Sequence, residues 1–376
     1  MILKDFQELK LSNLGLGMMR LPQNEDGTIN ETETEEMLDY SIKSGINYFD
    51  TAWGYLNGES ENIVGKYLSK YPRESYYLAS KFPGYDLSNM GKVEEIFEKQ
   101  LVKCNTTYFD FYLIHNVCEM NINQYLDPKY GTLEYLLKQK ENGRIKKFGF
   151  SVHGNMDTMK RFLEVYGPYM EFCQIQLNYL DYNFQDAKSK IELLNKLNIP
   201  IWVMEPLRGG KLANISDEYK ERLNSLRPDV SIIEWSFRFL QSFPEVKVIL
   251  SGMSSMEQLK QNIEIFKESK PLNEIEMNEM FKIADDMLKR TKVPCTACRY
   301  CTEKCPMGLD IPMILELYNE YVFTGGGFIA PMRINSLPND KKPSACIGCR
   351  ACESVCPQTI KISEIMKEFS EKLGLK

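Results

Sequence analysis

Between residues 14 and 270 the chain repeats one pattern: a short apolar, β-branched or aromatic run, then a longer stretch with apolar positions three and four residues apart. The continuous runs read as strands buried on both faces, and the wider spacing as helices with one buried stripe. The strands fall at 14–17, 47–51, 76–81, 109–115, 147–152, 172–178, 201–205 and 246–251. Helical stretches follow them, among others at 34–44, 93–103, 156–166 and 256–267. Gly45, Gly143 and Pro200 stand at helix ends, where caps and breakers belong. Eight strand–helix units of about 25–45 residues predict a (β/α)8 TIM barrel. The competing architecture is an open doubly wound sheet, but no glycine-rich dinucleotide fingerprint follows any strand.

The pattern changes after residue 270. A charged amphipathic helix is expected at 271–290, and the domain boundary is placed near 290, giving a barrel over 1–290 and a second domain over 291–376. In the second domain 311–321 and 363–373 read as helices, the latter polar, while 324–343 is a Gly/Pro-rich connection without periodicity. A net charge of −6 argues against a nucleic-acid surface. Neither a secretory signal nor a membrane-length apolar run is visible, so a cytoplasmic protein is expected. Eight of the eleven cysteines lie between Cys295 and Cys356. In a reducing compartment such a cluster points to metal rather than to disulfides.

The cysteines form two complete runs. Cys295-x2-Cys298-x2-Cys301-x3-Cys305-Pro306 is followed by Cys346-x2-Cys349-x2-Cys352-x3-Cys356-Pro357. Three thiolates on one tight loop reach three irons of a cube, and the fourth iron needs a ligand from elsewhere. Zinc knuckles would use pairs of cysteines and leave the third and fourth of each run unexplained. The runs resemble those of two-cluster ferredoxin modules, and the intervening helix resembles the helical modules appended to redox enzymes. The resemblance implies two [4Fe–4S] clusters in a small, mainly helical ferredoxin-like domain. It also implies cross-ligation: Cys295, Cys298, Cys301 and Cys356 hold one cluster, and Cys346, Cys349, Cys352 and Cys305 the other.

Barrel chemistry sits at the C-terminal strand ends. There the sequence places Asp50, Tyr55 five residues on, Lys81 and His115, polar residues closing apolar strands. A buried lysine beside a tyrosine is expected to lower the phenol pKa, with Asp50 holding the lysine. Tyr55 then acts as general acid and His115 donates to a carbonyl oxygen, a site for adding hydride to a carbonyl or removing it from an alcohol. Trp53 and Tyr85 stand on adjacent loops as candidate pocket walls. His153, the other of the two histidines, lies just past the fifth strand, either against ligand or packed.

The segment DTAWGYLNGESENIVGKYL at 50–68, with the lysine of LASK and the histidine of FYLIH, resembles the aldo-keto reductase superfamily. The resemblance implies a catalytic tetrad of Asp50, Tyr55, Lys81 and His115, and a nicotinamide nucleotide, NAD(P)(H), as cofactor. Ser151 and Gln174 fall where the family holds the nicotinamide carboxamide. Pro206, Leu207, Arg208 and Gly209 fall in the pyrophosphate loop, and Gly252, Ser254, Ser255, Gln258 and Asn262 by the adenosine. Met204 replaces the usual stacking aromatic, and Gly252 and Gln258 replace the Lys and Arg that often grip the NADP 2′-phosphate. The expected function is therefore an oxidoreductase acting on a small carbonyl or alcohol, with the clusters exchanging single electrons with a redox partner protein. A flavin-containing electron-transfer reductase is the alternative on the same barrel. Another is a carbonyl reductase whose clusters are structural or redox-sensing.

Overall fold

The computed structural model describes residues 1–289, 293, 295, 299–356 and 358–375. Cys298, Pro357 and the expected boundary at Arg290 lie outside them. The chain divides into two compact units, Met1–Phe281 and Lys282–Lys376. Among the described residues no helix is long and apolar enough to cross a membrane.

The first unit opens with an antiparallel hairpin of β1, Leu3–Phe6, and β2, Leu9–Ser12. Eight parallel strands follow: β3 (Leu14–Gly17), β4 (Tyr48–Asp50), β5 (Tyr77–Phe82), β6 (Phe109–Val117), β7 (Ile145–Val152), β8 (Phe172–Gln176), β9 (Ile201–Met204) and β10 (Val246–Ser251). They close into a barrel in chain order, β10 pairing with β3 through Ile249 to Leu14 and Ser251 to Leu16. This is the expected (β/α)8 fold. The hairpin was not expected, because its two four-residue strands carry too little alternation to stand out from polar sequence.

The barrel interior is packed with aromatics. Tyr48, Phe111, Phe172 and Trp202 point inward, and Phe6 of the hairpin joins them, its ring 4.9 Å from that of Trp202. Side chains alternate faces along a strand, so the residue two positions beyond an inward residue also faces the barrel axis. Two beyond Tyr48 is Asp50, and two beyond Ala79 is Lys81. Phe111 and Leu113 lead to His115, Phe172 to Gln174, and Trp202 to Met204. Strand periodicity alone therefore sets a layer of mostly polar residues on top of an apolar plug.

In the second unit, helices span Tyr300–Glu303, Ile311–Thr324, Ile329–Asn335 and Ile362–Lys372. Ile314, Leu317, Tyr318, Ile334, Met366 and Phe369 form its core. The helix at Ile329–Asn335 corrects the expectation of an irregular connection over 324–343. Three preceding glycines and Pro331 mask it in sequence, although proline is tolerated in a first helical turn.

Candidate functional site

At the barrel mouth Lys81 and Asp50 form a fully buried pair. Lys81 Nζ donates to Asp50 Oδ1 at 2.6 Å and to the Thr51 carbonyl at 2.8 Å. The same ammonium stands 4.9 Å from the centroid of the Tyr55 ring. The Tyr55 ring is 6.0 Å from that of His115, edge to face, and Tyr85 meets His115 at 5.1 Å. The structure thus brings the four strand-end residues together. Behind them, buried Glu61 accepts from Ser80 Oγ and Gln100 Nε2, and Gln100 Nε2 also reaches the Lys81 carbonyl at 3.0 Å. The sequence reading passed over Glu61, whose polarity within a helical stretch looks like any surface residue.

The protonation states differ from the expectation in one respect. Burial pushes the Tyr55 phenol well above its ordinary value, and the carboxylates of Asp50 and Glu205 push it the same way. The Lys81 ammonium is bonded to Asp50 and the Thr51 carbonyl and stands over the Tyr55 ring. Burial also holds His115 well below its ordinary value, with Lys81 and His153 adding to the effect, so the imidazole is neutral. Within the pair burial raises Asp50 and lowers Lys81, each opposed by its partner's charge.

A cavity of about 290 Å³ opens beside this group. Asp50 and Tyr55 line it, together with Gln174, Met204, Pro206, Leu207, Gly209, Gly252, Ser254, Gln258 and Asn262. Three expected cofactor residues are not in its wall. Ser151 Oγ accepts from Asn116 N at 2.8 Å, and Ser255 Oγ caps the helix Met256–Ile265 by accepting from Gln258 N. Buried Arg208 donates from Nε to buried Asp181 at 3.0 Å, bracing the loop behind the cavity. Arg20 and Glu205 line the cavity and were missed. Glu205 directly follows β9, so reading that strand end as closely as those of β4 to β6 would have found it, whereas Arg20 lies three residues beyond β3.

The wall suits an elongated nucleotide. Gln174 Oε1 is buried with no partner among the described residues, an acceptor placed for an amide donor. Gly209 and Gly210 adopt φ of 65° and 92°, left-handed conformations that leave the backbone bare toward the cavity. Asn262 Nδ2 and Ser254 Oγ are tied to Ser251 Oγ and the Arg20 carbonyl, which fixes the far wall.

In the second unit, Cys305, Cys346, Cys349 and Cys352 line one cavity with Leu309, Ile311 and Met366. Among the described residues no three His, Cys, Asp or Glu side chains gather closely enough for a single ion. Cys301 is buried, while Cys295 and Cys356 are half-buried against the same core. The residue after the second cysteine of each run is left-handed, Arg299 at φ 66° and Arg350 at 61°, so the two runs turn alike.

Residues 13–285 match the aldo/keto reductase family, and residues 294–361 match a 4Fe-4S dicluster domain. A relative from Bacillus subtilis (strain 168), the uncharacterized oxidoreductase YqkF, is 26% identical over 291 residues, covering 68% of this chain and 88% of its own. The NADH-specific methylglyoxal reductase of Escherichia coli (strain K12) is 23% identical over 301 residues, covering 68% of this chain and 90% of its own. An aldo-keto reductase from Klebsiella pneumoniae, solved in complex with NADPH, shares the fold at a TM-score of 0.60 and 19% identity. That match covers 76% of this chain and 96% of that one.

Proposed function

The chain belongs to the aldo/keto reductase family, and from that premise we propose that it reduces a small carbonyl at Tyr55 and couples this chemistry to two [4Fe–4S] clusters. One observation carries the reading. Tyr55 opens to the same cavity as Gln174 and the Gly209 and Gly252 loops, over a buried Lys81–Asp50 pair at 2.6 Å. A bound NAD(P)H would supply hydride. The neutral imidazole of His115 orients the carbonyl oxygen by donating an N–H, and the protonated Tyr55 hydroxyl gives that oxygen its proton. Lys81 and Asp50 fix the ring from below. An alkoxide oxygen is far more basic than a phenolate, so a raised Tyr55 pKa still permits the transfer.

Cys305, Cys346, Cys349 and Cys352 would hold one cluster, and Cys295, Cys298, Cys301 and Cys356 the other, supplying one-electron transfer. Hydride carries two electrons and each cluster one, so coupling them requires a group that divides the pair, a flavin or a substrate stable as a radical. Two electrons passed one at a time from a redox partner protein through the clusters to that group would then replace the pair that each hydride delivers to the carbonyl. Anaerobic stopped-flow mixing of the holoprotein with NADH and with NADPH tests this. Cluster bleaching by either supports the coupling, and bleaching by neither overturns it. The name of the Escherichia coli relative makes methylglyoxal a reasonable first carbonyl probe. With an active carbonyl in hand, Tyr55→Phe is expected to lose about 10²–10⁴-fold in kcat while still binding nucleotide.

A second reading rests on the burial of Cys301 and Cys352 in the core of their unit. Clusters placed there hold the fold together whether or not they carry electrons. On this reading Cys301→Ser lowers stability but leaves nucleotide-linked carbonyl reduction intact in the folded fraction.

A further inference from the structure

We propose that Lys103 is a positioning residue for Tyr55, clamping the loop from which the phenol reaches the site. The inference rests on Tyr55 serving as proton donor, the reading given above. Tyr55 opens a tight turn, Tyr55–Gly58, and the three residues that follow it there are all left-handed. Leu56 stands at φ 52°, Asn57 at 58° and Gly58 at 91°. Glycine takes this conformation freely, whereas Leu56 and Asn57 each carry a Cβ that crowds the following carbonyl. Such a turn persists only where contacts outside it hold it in place.

Lys103, at the end of the helix Val93–Lys103, supplies such contacts. Its Nζ donates to the Gly58 carbonyl at 2.7 Å and stands 4.7 Å from the centroid of the Trp53 ring. The ammonium therefore holds the chain on both sides of Tyr55, two residues before it and three after. Among the described residues no other side chain donates to a carbonyl between residues 53 and 58. The lysine is itself fixed. Glu61 Oε2 lies 3.4 Å from Nζ, and Gly65 sits so close to the Lys103 carbonyl that a Cβ there would clash with it. The other oxygen of Glu61 accepts from Ser80 Oγ at 2.7 Å, and Ser80 precedes Lys81 on β5. One buried carboxylate thus ties the loop of Tyr55 to the strand of Lys81. A proton donor works only within hydrogen-bond reach of its acceptor, and a displacement of about 1 Å costs about 10²-fold in rate.

The test compares the wild-type holoprotein with Lys103→Met and Lys103→Arg. Turnover is measured with NADH and with NADPH on p-nitrobenzaldehyde, an activated aldehyde, and hydrogen exchange is read by mass spectrometry. Lys103→Met is expected to lower kcat about tenfold or more while the KM for nucleotide stays unchanged. Exchange over residues 53–60 should quicken while β4 and β5 stay protected. Lys103→Arg, which can still donate to the Gly58 carbonyl, is expected to recover most of both. A kcat for Lys103→Met within about twofold of wild type overturns the proposal, as does faster exchange throughout the barrel, the mark of general loosening. Exchange decides the clamp even where the aldehyde is not turned over: quickening confined to 53–60 supports it, and unchanged rates overturn it. Tyr55→Phe that keeps wild-type kcat overturns the proton-donor reading itself, a result distinct from these.

Discussion

Lys81 Nζ and Asp50 Oδ1 stand 2.6 Å apart with both side chains withdrawn from water, directly beneath the Tyr55 ring. Removing one partner strands the other's charge, at a cost of about 3–5 kcal/mol, whereas removing both can be nearly neutral. Lys81→Met and Asp50→Asn are each expected to lower the unfolding midpoint. The double variant is expected to recover stability but not carbonyl reduction. Urea unfolding beside kcat measurement checks this, and recovered activity in the double variant would refute the role given to the pair.

The pH profile follows from the two groups that face the carbonyl. Tyr55, raised by burial, Asp50 and Glu205, keeps its proton until well above pH 10. His115, lowered by burial, Lys81 and His153, stays neutral down to well below pH 6.5. Reduction requires the phenol protonated and the imidazole neutral, so kcat/KM should be flat between pH 6.5 and 10. An alkaline limb near neutral pH would show instead that Lys81 lowers the phenol pKa. Glu205→Gln removes one of the charges that raise Tyr55 and should bring the alkaline limb down.

The same rule explains how much of the site could be read in the sequence. Gln174 was implied by the family resemblance. Asp50, Lys81 and His115 were legible because each sits two residues past an inward aromatic or aliphatic side chain, so local alternation aims it at the axis. Arg20 was not, since it lies three residues beyond β3 and its direction is set by contacts with Gly252 and Ser254, more than 230 residues away. The sign of the Tyr55 shift was hidden for a similar reason. It depends on burial and on the Asp50 and Glu205 charges around the phenol, which spacing along the chain does not encode. The hairpin and the helix Ile329–Asn335 escaped because their sequence signals are short, while their burial comes from the barrel plug and from the C-terminal core.

His153 supplies a prediction about stability. Burial, with Lys190 nearby, lowers its pKa from 6.5 to about 4. A depressed folded-state value means that its contribution is complete above the unfolded value. It is lost as pH falls from about 6.5 through about 4, and amounts to on the order of 2–3 kcal/mol. His153→Gln should flatten the fall in unfolding midpoint over that range. An unchanged slope would place the acid sensitivity in other groups.

The cysteine runs make the most discriminating prediction in the second unit. Cys305 belongs in sequence to the first run, yet it lines a cavity with Cys346, Cys349 and Cys352 of the second. Cys305→Ser should therefore damage the cluster held by the second run and spare the one held by Cys295, Cys298, Cys301 and Cys356. Cys356→Ser should do the converse. Each variant should fall from about eight irons to about four per chain. The pairing is then read by combining variants. Cys305→Ser with Cys349→Ser strikes one cluster twice and should keep about four irons, whereas Cys305→Ser with Cys298→Ser strikes both and should keep almost none. The opposite ranking would mean that each run holds its own cluster, and the shared cavity would then be a packing feature of the folded thiols.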